Sequence, residues 1–81
     1  MMVTVRMFAR AKDLAGADVI TVEVEESATV EELRRRLAAV YPRLKPLLAH
    51  SVFAMNNEYA DAHSRITPDA EIALLPPVSG G

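Results

Sequence analysis

The chain contains no cysteine. That absence removes disulfides, thiolate metal sites and thiol nucleophiles at once. Any sulfur chemistry must therefore use a group other than a cysteine side chain. No apolar run approaches the roughly 20 residues that a transmembrane helix requires. The opening residues, Met1-Met2-Val3-Thr4-Val5-Arg6, lack the charged-then-apolar layout of a secretory signal, so the expected location is the cytoplasm. An excess of one charge is missing too. The formal net charge is -2, which gives no basis for a nucleic-acid or anionic-membrane surface. There is no internal repeat and no low-complexity segment.

What remains is ordinary for a small globular protein. The 81 residues are 51% hydrophobic and 25% charged, enough for one domain with a modest core. Val3, Val5 and Met7 alternate with Thr4, Arg6 and Phe8, a period of two that predicts a first strand. Phe8 falls on the face opposite Val5, or at the strand's end. Ala9 to Leu14 can form a short helical turn that Gly16 is placed to end. Val19 to Val24 predicts a second strand, with Ile20, Val22 and Val24 on one face, most simply antiparallel to the first.

Thr29-Val30-Glu31-Glu32 is a capping box, with Thr at the cap and Glu three residues later. Val30, Leu33, Leu37 and Val40 then recur at helical spacing as one apolar stripe. Pro42 stops this helix near Tyr41. Leu44, Leu47 and Leu48 supply an apolar turn that closes the end of the core. Ser51 to Met55 predicts a third strand, Asn56-Asn57 a turn, and Glu58 to Ala60 a short edge strand. Thr67-Pro68-Asp69 turns the chain into a last strand, Glu71 to Leu75. A mixed sheet packed on one face by one main helix is the economical way to bury this order of elements. That is an α+β, β-grasp arrangement. The first and last strands can lie parallel at the sheet centre, with the helix as crossover.

Several residues invite chemistry that their surroundings do not support. His50 and His63 are lone histidines without a ligand cluster, so no metal site is expected. Glu25-Glu26 and Glu31-Glu32 read as surface and capping acids rather than a general acid–base pair. Arg34 to Arg36 reads as a solvated helix face, with an ion-pairing surface for a partner as the alternative. Ser64 and Ser79 lack a nucleophile context.

The last six residues are different. Pro76-Pro77-Val78-Ser79-Gly80-Gly81 follows directly on the apolar strand. The prolines hold the chain extended and cannot join a central strand. The two glycines have no Cβ and make a thin tip. The expected division is a folded body over 1–75 and an extended tail over 76–81. The tail is suited to insertion into a narrow channel, presenting the α-carboxylate of Gly81.

With the tail and element order in hand, the chain resembles the small subunit of molybdopterin synthase, the MoaD family of ubiquitin-like sulfur carriers. Phe8-Ala9-Arg10 followed by Asp13-Leu14-Ala15-Gly16 is similar to that family's opening and loop. Thr29 to Leu33 is similar to its helix start, Met55-Asn56-Asn57-Glu58 to its hairpin, and Thr67 to Gly81 to its C-terminal signature. Pro-Pro-Val-Ser-Gly-Gly after such a strand is the specific part, because Gly-Gly alone is shared by all ubiquitin-like carriers.

The resemblance implies a mechanism. An ATP-dependent activating enzyme, MoeB-like, adenylates the carboxylate of Gly81. A persulfide displaces AMP and leaves a thiocarboxylate. The tail, Pro76, Pro77, Val78, Ser79 and Gly80, enters the MoaE-like large subunit. There sulfur passes to cyclic pyranopterin monophosphate in molybdenum cofactor biosynthesis. No cofactor is expected on this chain, the catalytic groups are expected in the large subunit, and the expected assembly is a heterotetramer. Phe8, Tyr59 and Leu75 correspond to apolar positions that contact partners. Tyr59 stands where an aliphatic is more usual and Leu75 where an aromatic is. Leu75 is open between core and interface. Alternatives are a carrier for thiamine or another sulfur-containing product, a ubiquitin-like modifier of protein lysines, and an interaction domain with an idle tail.

Overall fold

The computed structural model describes residues 1–76. The elements are β1 (Met2–Met7), α1 (Ala9–Ala15), β2 (Val19–Glu23), α2 (Val30–Val40), a 3₁₀ turn (Pro42–Leu44), α3 (Lys45–Leu48), β3 (Val52–Met55), β4 (Glu58–Ala60) and β5 (Ile72–Leu75). The strands form one sheet in the order β2-β1-β5-β3-β4. β1 and β5 pair in parallel at its centre, and the other pairings are antiparallel. The mixed sheet with the first and last strands side by side is the β-grasp arrangement.

Strand alternation decides which side of the sheet is covered. Val3, Val5 and Met7 of β1 point toward α2, as do Ile20 and Val22 of β2, Phe53 of β3, and Ile72 and Leu74 of β5, and all are buried. From the helix, Val30, Leu33 and Leu37 meet them, with Leu44 and Leu48 closing one end. Each such fully buried side chain contributes about 1.5–3 kcal/mol of transfer free energy.

The start of α2 is satisfied in full. Glu32 N–H donates to Thr29 Oγ1 at 3.3 Å, and Thr29 N–H donates back to Glu32 Oε1 at 3.1 Å, completing the capping box. The two preceding amides are met from a distant loop: Val30 N–H donates to the Ser64 carbonyl at 2.9 Å and Glu31 N–H to that of Ala62 at 3.0 Å. α1 ends at Gly16, whose φ of 78° is left-handed and whose N–H donates to the Lys12 carbonyl. The β3–β4 hairpin turns on Asn56 and Asn57 at φ 53° and 68°. Positive φ at both central residues is the geometry of a two-residue turn that follows the sheet's twist, and asparagine tolerates it.

β2 ends at Glu23 and β5 begins at Ile72, each one residue short of the expected strand, and three further expectations need correction. Val40 is 45% exposed, so the buried stripe of α2 ends at Leu37. The helix outruns the core there, and Leu44 takes the inward position as the chain turns at Pro42. Ser51 is not in β3. It is buried, and its hydroxyl donates to the Leu47 carbonyl at 2.7 Å, closing α3 instead. Arg34 is not on a solvated face. It is half-buried, donates to the Leu48 and Ser51 carbonyls, pairs with Glu31 at 3.4 Å and lies 5.2 Å from the Phe53 ring centroid. Arg36 likewise ties α2 to the sheet through the Glu23 carbonyl.

Candidate functional site

The alternation that buries one side of the sheet projects every second residue from the other, and no element covers that side among the described residues. One row crosses all five strands. Val19 of β2 pairs with Arg6 of β1, Arg6 with Ala73 of β5, Ala73 with Ala54 of β3, and Ala54 with Tyr59 of β4. The next row runs toward the C-terminal end of β5, where Leu75 pairs with Val52. Met7 pairs with Leu74, so Phe8, the residue after it, comes level with Leu75.

This face is unusually apolar. Six large apolar side chains remain exposed among the described residues, and five of them, Met2, Phe8, Val19, Val52 and Tyr59, belong to it. Tyr59 is 82% exposed and Phe8 42%. Apolar side chains scattered singly need no explanation, but a cluster on one sheet face marks an interaction surface. A shallow depression of about 100 Å³ sits within it, lined by Arg6, Phe8, Ala54, Asn57, Glu71, Ile72 and Ala73.

Phe8 owes its position to local backbone geometry. It caps α1 in extended conformation at φ -126°, and Ala9 follows at φ 51°. A left-handed alanine costs roughly 1–2 kcal/mol. That turn takes the chain from β1 into α1 and leaves the Phe8 ring on the open face, within 5.9 Å of the Arg6 guanidinium. Tyr59 is held by the asparagine hairpin. The Asn56 N–H donates to the Glu71 carbonyl at 2.8 Å, and Glu71 N–H donates to Asn56 Oδ1 at 2.9 Å, so the hairpin is fastened to the residue before β5.

Phe8, Tyr59 and Leu75 are thus brought to one face. Leu75 is half-buried and projects away from the core, between Val52 and the level of Phe8. Pro76 follows it, half-buried. Pro77, Val78, Ser79, Gly80 and Gly81 lie outside the described residues. Val19, Arg6 and Val52 belong to the same surface and were not singled out from sequence. The signal for Val52 was its alternation with Phe53, which becomes a face assignment only once the strand's neighbours are known. His50 and His63 are exposed in separate loops. No helix of the described residues is long and apolar enough to cross a membrane.

A sheet closed on one side by a helix, open and apolar on the other, with the chain leaving the central strand at the edge of that apolar patch, defines a ubiquitin-like β-grasp protein. Its first and last strands lie parallel at the centre of the sheet. The chain belongs to the ThiS family, whose model matches residues 5–81. It is similar to the molybdopterin synthase sulfur carrier subunit of Chlamydomonas reinhardtii, 32% identical over 83 residues and covering 100% of both chains. The crystal structure of small archaeal modifier protein 1 from Haloferax volcanii superposes with a TM-score of 0.86 at 28% identity, covering 100% of both chains. Subunit 1 in the complex of subunits 1 and 2 of the molybdopterin-converting factor from Helicobacter pylori superposes with a TM-score of 0.70 at 29% identity, again over 100% of both.

Proposed function

We propose that this chain is the sulfur carrier subunit of a molybdopterin synthase, acting in the cytoplasm. The observation that carries the reading is geometric. The apolar patch of Phe8, Val52, Tyr59 and Leu75 has the point where the chain leaves β5 at its edge. A partner that docks on the patch lies beside the point from which the following residues continue. The names of the relatives, and the two-subunit assembly of the Helicobacter pylori neighbour, support a large subunit as that partner.

The chemistry resides at Gly81. Its carboxylate is a poor acyl donor. An activating enzyme joins it to AMP from ATP, releasing pyrophosphate, which gives it a good leaving group. A carrier persulfide's outer sulfur then displaces AMP to give an acyl disulfide, and a second thiol attacks the carrier sulfur, forming a disulfide with it and leaving a thiocarboxylate on Gly81. That group carries nucleophilic sulfur without a cysteine, in a chain that has none. Sulfur passes to cyclic pyranopterin monophosphate in the large subunit, and hydrolysis of the acyl group returns the carboxylate. This chain is a co-substrate, and the groups that move protons lie in its partners. The full assembly is a heterotetramer of two small and two large subunits.

A second reading, a modifier of protein lysines, is favoured by the likeness to small archaeal modifier protein 1. The same acyl-adenylate accepts an amine as readily in principle as a persulfide. Reconstitution separates the two. The chain is prepared with a thiocarboxylate at Gly81 and mixed with a large subunit and the pyranopterin precursor, and molybdopterin is assayed. Product with the thiocarboxylate and none with the plain carboxylate is the expected result. No product with a large subunit of known activity, together with isopeptide-linked adducts in cells, would move the assignment to the modifier.

A further inference from the structure

Arg6 stands in the middle of the apolar row, with Val19 on one side and Ala73 on the other. Its guanidinium differs from most others in the chain. Arg34, Arg36 and Arg65 donate to backbone carbonyls, and Arg35 pairs with Glu31. Among the described residues the Arg6 guanidinium takes part in no ion pair and no hydrogen bond, and its neighbour is the Phe8 ring at 5.9 Å. Arg10 and Arg43 are also unpaired among the described residues, but they lie on α1 and the 3₁₀ turn and not on a strand of this sheet. The nearest acid on the face is Glu71, one diagonal step away by register, which lines the same depression without coming within ion-pair distance.

We infer that the surface docking on this face presents a carboxylate to Arg6. The inference rests on the proposed function, in which a large synthase subunit covers the patch. Docking on Phe8, Val52 and Tyr59 draws Arg6 out of water. A guanidinium desolvated without an acceptor opposes binding by several kcal/mol. Its contact with the Phe8 ring leaves the N–H edge free, and a carboxylate matches that planar fork with two parallel hydrogen bonds. Arg6 then sets which large subunit is accepted, because an apolar or basic residue at the facing position is rejected by the unpaired charge.

The test is the dissociation constant for the large subunit from the same organism, for the wild type, Arg6→Met and Glu71→Gln, at about 50 mM and about 500 mM NaCl, a range over which the Debye length shortens several-fold. Arg6 is exposed on the sheet, and an unchanged melting temperature confirms that each variant is folded. Arg6→Met is expected to raise Kd by about tenfold or more at low salt and to flatten its salt dependence. Glu71→Gln is expected not to weaken binding, since it removes an anion beside the incoming carboxylate. An Arg6→Met variant that binds as tightly as the wild type, or more tightly, overturns the inference: the charge then has no acceptor to lose. Weakening by Glu71→Gln comparable to that of Arg6→Met also overturns it, by placing the acceptor on this chain. A wild type that does not bind the large subunit at all instead defeats the proposed function.

Discussion

Tyr59→Ala separates a docking residue from a structural one more sharply than any other change in this chain. The side chain sits on the three-residue edge strand β4 and is 82% exposed. An aromatic side chain offers roughly 200 Å² for burial, so the share still open to a partner is on the order of 160 Å². At about 25 cal/mol per Å² that is an upper bound of about 4 kcal/mol. Ordering the ring and desolvating its hydroxyl reduce the gain, leaving about 2 kcal/mol, or roughly thirtyfold in Kd. Fold stability has little to lose, because so little of the ring is buried in the free chain. A penalty below about 1 kcal/mol covers the lost strand propensity, which for a domain of this size is under about 8 °C in Tm.

Titration calorimetry against the large subunit gives the first quantity and a thermal melt the second. The expected pattern is a Kd weakened by about thirtyfold with a nearly unchanged melt. The reverse pattern, a lowered melt with intact binding, would show that Tyr59 belongs to the fold and that the patch is centred elsewhere. Phe8→Ala makes the comparison quantitative. Phe8 is 42% exposed, so a larger part of its area is already used within the chain. Its truncation is expected to cost more stability and less affinity than that of Tyr59.

Three further outcomes follow from the packing. Leu33→Ala, at a fully buried position of α2, should cost about 2–5 kcal/mol by chemical denaturation, and a negligible change would contradict the assignment of the helix face. Arg34→Met keeps much of the side chain's volume but loses the hydrogen bonds to the Leu48 and Ser51 carbonyls, and should cost about 1.5–3 kcal/mol by the same measurement. Ala9→Gly relieves a φ of 51° and should raise stability by up to about 1 kcal/mol, whereas the β-branched Ala9→Val should lower it, as read from paired thermal melts.

Legibility in the sequence followed the range of the interactions. The capping box and the run Val30, Leu33, Leu37 announce α2 because their partners lie within one or two turns. The alternation of Val3, Val5 and Met7 announces β1 for the same reason. The parallel pairing of β1 with β5 was permitted by the sequence but not dictated, since nothing local in Ile72 to Leu75 names its neighbour. Arg34 looked solvated because what it binds, the carbonyls of Leu48 and Ser51 and the ring of Phe53, lies 14 or more residues onward. The segment 61–66 carries no helical or strand periodicity. Its carbonyls at Ala62 and Ser64 complete the start of α2 and Ile66 enters the core, tasks that leave no periodic trace. Of the apolar patch, Phe8, Tyr59 and Leu75 were reached by resemblance. Val19 and Val52 were missed because a strand with apolar residues at adjacent positions does not say which of its faces will be covered.

The patch and the exit point of the chain are two consequences of one strand register. β5 is paired on both sides, with Val5, Arg6 and Met7 in parallel and with Val52 to Met55 in antiparallel. Because side chains alternate, burying Ile72 and Leu74 obliges Ala73 and Leu75 to face outward. A slip of one residue would exchange those pairs. It would drive Ala73 and Leu75 into the core and turn Ile72 and Leu74 toward the partner. The same slip would shift the point where the chain leaves the sheet by about 3.3 Å along the strand, several times the ~1 Å misplacement that can cost a reaction a hundredfold. The cavity left by alanine in place of Ile72 or Leu74 would cost about 2–5 kcal/mol, a large part of the stability of a domain this small. The core that holds β5 in register therefore also sets where the chain leaves the sheet. Substitutions that loosen the packing around Ile72 and Leu74 should impair delivery before they unfold the chain.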